Sequence, residues 1–182
     1  MTKITAPAER SGHSDVSRDV MQAYTLVVLV EDRLGAVDRV FSLFRRRRAN
    51  MQTLVLGRCE LPDVIRITVA VNDSEVGIDH LVEQLRKIID VRKVAHFMAQ
   101  QAITRELALI KVSRIEEHTR AIIELASLFG ATVVDLTAST VTLEVSGSSE
   151  KIDKLVGQVQ RYGIREIVRT GSVAMAYDAE DK

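Results

Sequence analysis

The chain has 182 residues, 46% hydrophobic and 27% charged, with Lys+Arg and Asp+Glu equal at 25 each. That suits one medium domain or two small ones, and no net charge draws the chain to nucleic acid or an anionic membrane. Aromatics at 4% without Trp argue against base-stacking platforms, and the single Cys59 has no disulfide or metal partner, so a reduced cytoplasmic setting is expected.

Residues 1–22 are polar and non-periodic and read as a mobile tail. No apolar stretch is long enough to span a membrane and no basic region precedes an apolar run, so neither a span nor a signal peptide is expected. AYTLVVLVE (23–31) is a continuous, β-branched apolar run, typical of a central strand. Val37, Val40, Phe41 and Phe44 then fall on one helical stripe. MQTLVLGRC (51–59) reads as a strand, Leu61-Pro62-Asp63 as a turn, and VIRITVAV (64–71) as an alternating strand with Ile65, Ile67, Val69 and Val71 on one face. Leu81, Val82, Leu85, Ile88 and Ile89 give a second stripe, and VRKVAHF (91–97) a closing strand. The order β-α-β-β-α-β over 23–98 is the ferredoxin-like pattern.

After a joint at MAQQAIT (98–104), the order repeats over 104–177. ELALIKV (106–112) is a strand, Ile122, Leu125, Ala126 and Phe129 a helical stripe, and ATVVDL (131–136) and STVTLEV (139–145) two more strands. Ile152, Leu155, Val156 and Val159 form the last helical stripe, and a final strand lies within 164–176. The fold class is therefore α+β, two tandem ferredoxin-like βαββαβ units. A four-stranded sheet with helices on one face leaves the other face and the edges open, so dimerisation by edge or face pairing is expected.

Catalytic equipment is missing. His13, His80, His96 and His118 are isolated, and no phosphate loop, dinucleotide fingerprint or nucleophile elbow occurs. Ser146-Gly147-Ser148-Ser149 reads as a helix cap before Glu150 rather than a phosphate cradle. Glu31 and Asp32 point to opposite faces of a strand, which is poor geometry for an acid/base pair. No catalytic residue and no metal ligand is assigned.

The stretch LVEDRLGAV (29–37) carries a different chemistry. Asp32 ends the strand, Gly35 opens the helix, and Ala36 and Val37 begin its first turn. Free N–H groups and the positive end of the helix dipole make an anion site, Gly35 lets a carboxylate approach, and Asp32 can accept from an ammonium. A ligand with both groups is an amino acid; the alternative is that Gly35 is only a turn residue and Asp32 only a helix cap.

LVVLVEDRLGAVDRVFSLFRRRRANMQTLVLGR (26–58) resembles the opening of the ACT domain in the small regulatory subunit of acetohydroxyacid synthase (acetolactate synthase). Gly35-Ala36-Val37 with Arg39-Val40 matches the family's S-G-A-L-x-R-V, and Asn50-Met51 its Asn-Ile. IIDVRKV (88–94), RELALIKV (105–112) and TGSVAM (170–175) resemble its later segments, so the likeness runs over 23–176. It implies an N-terminal ACT domain and a C-terminal ferredoxin-like domain in a non-catalytic chain. Such a chain binds a thiamine-diphosphate-dependent catalytic subunit, activates it and confers feedback inhibition by a branched-chain amino acid, usually valine. Thiamine diphosphate, Mg and FAD would belong to that subunit, leaving no cofactor here. The effector would sit in a homodimer between Asp32, Gly35, Ala36 and Val37 of one chain and Asn50 and Met51 of the other. Two departures stand out. Asp32 replaces a common Asn and can only accept, which implies a weakened or altered effector response. The run RRRR (45–48) stands where the family tends to have a glycine near Arg48; it reads as a solvated helix end, with an acidic patch on the catalytic partner as the alternative and nucleic acid the least favoured. A free-standing amino-acid sensor acting on another enzyme or a transcription factor is the competing reading, and the second unit counts against it.

Overall fold

The computed structural model describes residues 21–114 and 116–177; the segment expected as a tail lies outside the described residues up to position 20. The first unit runs β1 (Gln22–Glu31), α1 (Ala36–Arg46), β2 (Asn50–Arg58), β3 (Val64–Asp73), α2 (Glu75–Arg86) and β4 (Val91–Met98). The second runs β5 (Ala102–Ser113), α3 (Glu116–Leu128), β6 (Thr132–Leu136), β7 (Thr140–Gly147), α4 (Ser149–Val159), β8 (Ile164–Arg169) and β9 (Val173–Ala176). The antiparallel sheets have strand orders β2-β3-β1-β4 and β6-β7-β5-β8, the two ferredoxin-like sheets expected from the repeat. Among the described residues no helix is long and apolar enough to cross a membrane.

Each unit has its own core on the helix side of its sheet. Leu26, Val28, Val30, Ile67, Val69 and Val71 meet Val40, Phe44, Ile78 and Leu85 in the first; Ile110, Leu143 and Val145 meet Ile122, Ile152 and Leu155 in the second. Fully burying each such side chain contributes about 1.5–3 kcal/mol, which dominates local propensity. Two stripes differ from expectation at their ends. In α1 the buried face is Ala36, Val40, Leu43 and Phe44, with Val37 and Phe41 only partly covered, because small Ala36 lets the helix start approach the sheet. The periodicity at Ile88 and Ile89 outruns α2, which ends at Arg86; Ile88 packs on the core but Ile89 is 91% exposed.

The expected joint is shorter than MAQQAIT. A single 3-10 turn covers Ala99–Gln101 and β5 already begins at Ala102, so one strand serves two roles. Its second half pairs with β7 and β8; its first four residues pair with β9. The closing segment thus divides into two strands. Two residues lie between Arg105 and Ala108 on β5 but three between Arg169 and Val173 opposite, so residues 170–172 form a one-residue bulge. The β5–β9 ribbon lies on the helix-free face of the first sheet. Ala102 and Ala174 pack with Val27, Leu29, Val64 and Phe97, and Arg66 donates to the Ala174 carbonyl at 2.6 Å. The face expected to be open is therefore covered in part from within the chain, and among the described residues β2 has a free outer edge.

The arginine run caps α1. The Ala49 N–H donates to the Phe44 carbonyl at 3.1 Å, and Arg48 takes the left-handed φ of 51° that such a terminus places on its first residue past the helix. That is the physical reason a glycine suits this position. The four arginines are exposed and form no ion pair among the described residues, as a solvated helix end would. Arg48→Gly is expected to stabilise the fold by roughly 0.5–1 kcal/mol, since relief of a ~1–2 kcal/mol left-handed penalty exceeds the added chain entropy of ~0.5–1 kcal/mol. Urea unfolding measures it.

Candidate functional site

The β1–α1 turn is the most built of the places singled out from sequence. Gly35 is the N-cap of α1 at φ 79°, ψ −4°, and no side chain caps the helix. The N–H groups of Val37 and Asp38 in the first turn have no intrahelical acceptor by position. Ala36 N–H donates back to the Arg33 carbonyl at 3.1 Å, and Arg39 N–H to the Gly35 carbonyl at 3.1 Å. The left-handed φ excludes most side chains, and a methyl placed on Gly35 would lie 3.3 Å from Nη1 of Arg39. The Arg39 guanidinium therefore folds back beside the glycine and reinforces the positive helix end.

Arg39 is held there. Its Nε donates to Oδ2 of Asp90 at 2.6 Å, and Asp90 is only 7% exposed in its side chain. The hydrogen bond from Arg39 holds the Asp90 carboxyl below its ordinary value against the opposing effect of burial. The Asp90 carbonyl also accepts from Glu31 N–H at 2.9 Å, so one residue ties the helix start to the end of β1. A groove of about 1040 Å³ runs from Gly35 and Arg39 along Ser42 and Arg45 to Lys87 and Ile89. Sequence reasoning places Arg39 in a helix pattern and gives it no chemistry, because its partner lies 51 residues away.

The structure separates the remaining candidates. Ala36 is buried and Val37 half-buried on α1. Asp32 is exposed and does not cap the helix, which corrects that alternative; its N–H donates to the Asp63 carbonyl at 2.9 Å. It lines a separate cleft with Arg58, Cys59 and Glu60, apart from the groove at Gly35. Asn50 and Met51 begin β2 at the opposite end of the sheet. Asn50 lies across Asn72 from Ala23, and nine residues of β1 at ~3.3 Å each put it about 30 Å from Asp32 in the same chain. Among the described residues no group of three or more His, Cys, Asp and Glu could hold a metal.

A second cluster lies where the units meet. Glu106 on β5 is 3% exposed in its side chain; Arg169 on β8 donates Nε to Oε1 at 2.5 Å and Nη2 to Oε2 at 3.1 Å. Arg169 also reaches Asp153 at 2.6 Å, and Ser149 donates its hydroxyl to Glu106 at 2.8 Å. Burial raises the Glu106 carboxyl, but the bonds from Arg169 and Ser149 outweigh it and leave the group below its ordinary value. Ser148, one residue earlier, caps α4 by accepting from Lys151 N–H at 3.3 Å, as the Ser-Gly-Ser-Ser stretch implies. Because the folded-state value of Glu106 is depressed, its contribution is full above the unfolded value and is lost as pH falls through the folded one. Glu106→Gln is expected to cost about 1–3 kcal/mol at pH 7. The difference from wild type should shrink towards pH 3, read by urea unfolding at both values.

Comparison with known proteins agrees with this architecture. A family profile described as "AHAS small subunit-like ACT domain" matches residues 26–93, and one described as "Small subunit of acetolactate synthase" matches 105–178. The acetolactate synthase small subunit of Mycolicibacterium smegmatis is 42% identical over 154 residues, 84% of this chain and 90% of that protein. That of Mycobacterium leprae is 40% identical over 86% of this chain and 92% of its own length. The crystal structure of the small subunit from Thermotoga maritima superimposes with a TM-score of 0.81 at 27% identity, covering 87% of this chain and 99% of that one. The chain belongs to the family of acetolactate synthase small subunits.

Proposed function

We propose that this chain is a non-catalytic regulatory subunit of acetolactate synthase. In this reading it works in the cytoplasm as a homodimer. It docks on the thiamine-diphosphate-dependent catalytic subunit, raises its activity and transmits feedback inhibition by a branched-chain amino acid, with valine the first candidate. Thiamine diphosphate, Mg and FAD belong to the catalytic subunit. The observation that carries the reading is the family likeness through both units, at 26–93 and again at 105–178.

The strand geometry supports an effector site shared between two copies. β2 is parallel to β1 and has a free edge, and its last residue, Arg58, lies at the Asp32 end of the sheet. Antiparallel pairing of two β2 edges sets Asn50 and Met51 of the second copy against that end. Residues about 30 Å apart in one chain then approach Asp32, Gly35, Ala36 and Val37 of the other. The helix terminus with Arg39 takes the effector carboxylate, and Asp32, which can only accept, stands where an Asn would donate to it.

The test is acetolactate formation by the catalytic subunit from the same source, alone, with this chain, and with this chain plus valine, leucine or isoleucine. Activation that one amino acid removes is the expected result; absence of activation overturns the reading. Asp32→Asn is expected to tighten binding of that amino acid roughly tenfold, the ~1.4 kcal/mol scale of one recovered hydrogen bond, by calorimetry. Unchanged affinity would remove Asp32 from the site.

A further inference from the structure

The bulge at 170–172 touches the first unit at one strand. Gly171 has φ 80° and is buried, and a methyl placed on it would lie 3.1 Å from Val55 Cγ2 and 3.3 Å from Thr53 Cβ. Thr53 and Val55 belong to β2, on the face away from the helices, opposite Ala70 and Thr68 of β3. Thr53 follows a break in the β2 register just after Met51. The helix-side face of the same strand is occupied by Leu54 and Met51, which pack on the first core. At this point β2 is thus held between its own core and the backbone of the second unit.

The bulge is fastened firmly on its own side. Thr170 N–H donates to the Leu107 carbonyl at 3.0 Å, and its hydroxyl accepts from Leu107 N–H at 3.1 Å. Arg169 is clamped to buried Glu106, and the Ser172 hydroxyl lies 3.2 Å from that of Ser149 in the first turn of α4. Displacement of β2 therefore has a stiff route through Gly171 to β5 and α4.

The contact is also incomplete in one respect. The Thr53 hydroxyl oxygen is sealed from solvent and has no hydrogen-bond partner among the described residues. Glu106, Ser149 and Thr170 line the same cleft of about 460 Å³, so oxygen acceptors stand nearby but out of reach. Buried polar groups are nearly always paired, and an orphan hydroxyl beside a cleft lined with oxygen acceptors points to a close alternative arrangement. Sliding of β2 against the bulge is the movement that would pair it.

We propose that the Gly171 bulge, seated on Thr53 and Val55 of β2 and fastened to Glu106 and α4, couples the amino-acid site to the placement of the second unit. The proposal rests on the regulatory reading above and names the element that carries the regulation. Asn50 and Met51 stand three and two residues from Thr53 on β2, so an effector held there acts on the strand that the bulge reads. Two arrangements that the effector distinguishes are what such coupling requires.

The test uses the full chain with its catalytic partner, and valine, leucine and isoleucine as probes. Gly171→Ala adds a methyl against Val55 and strains a left-handed backbone. It is expected to keep amino-acid affinity, measured calorimetrically on the regulatory chain, within about twofold of wild type. The amino-acid concentration giving half-inhibition of acetolactate formation should rise at least tenfold. Gly157→Ala on α4, where a methyl meets nothing within 4 Å, should change neither quantity. Thr53→Val offers an independent arm if Gly171→Ala fails to fold. Removing the orphan hydroxyl favours the present arrangement, so melting temperature should rise while half-inhibition again shifts upward. Inhibition unchanged in both variants overturns the proposal, as does a tenfold loss of amino-acid affinity in Gly171→Ala, which would make the bulge part of the binding site. A wild-type chain that binds none of the three amino acids, seen before any variant is made, overturns the regulatory reading itself.

Discussion

Val27, Leu29, Val64 and Phe97 leave the first sheet on the side that has no helices, and covering them is the constraint on which the architecture turns. An apolar sheet face must meet another layer, and here the layer is a ribbon from the second unit rather than a separate element. β5 makes this possible by being long enough for two partners: its first four residues pair with β9 over the first sheet, and the rest build the second sheet. The two units are therefore joined by packing as well as by chain, although each has its own helix-side core.

Two buried carboxylates fix the ends of this arrangement. Asp90 ties the start of α1 to the end of β1 through Arg39, and Glu106 ties α4 and the 170–172 bulge to β5 through Ser149 and Arg169. Hydrogen bonds outweigh the penalty of burial in both, from Arg39 at Asp90 and from Arg169 with Ser149 at Glu106, so the acids are ionised and act as anchors. Their positions give the proposed regulation its mechanical frame. One anchor holds the helix terminus at Gly35, and the other holds the bulge that touches β2. The strand between them has a free edge and a break in register, which makes it the less constrained part of the frame.

Most of the secondary structure was legible because alternation and helical periodicity are properties of neighbouring residues. Val141, Leu143 and Val145 face the second core as their spacing implies, and Ile152, Leu155 and Val159 do the same from α4. Errors fell at element ends. Ile89 continues a helical period beyond the point where the chain leaves the helix, and Ala102–Thr104 read as a joint because pairing with β9 leaves little local signal. The glycine of the β1–α1 turn was legible for the same local reason, its place where a strand hands over to a helix.

The sequence by itself determined the two tandem units, the turn at Gly35, a helix cap within residues 146–149 and the likeness to a family of regulatory subunits. Tertiary structure alone decided that Arg39 stands beside Gly35, that Asp32 opens onto a different cleft, and that Asn50 lies at the far end of the sheet from both. It also decided that the 170–172 bulge meets Thr53 and Val55. The reason is one of range. Periodicity and turn chemistry act over a few residues, whereas the partners of Arg39, Glu106 and Gly171 lie 43 or more residues away and are chosen by how the two layers pack.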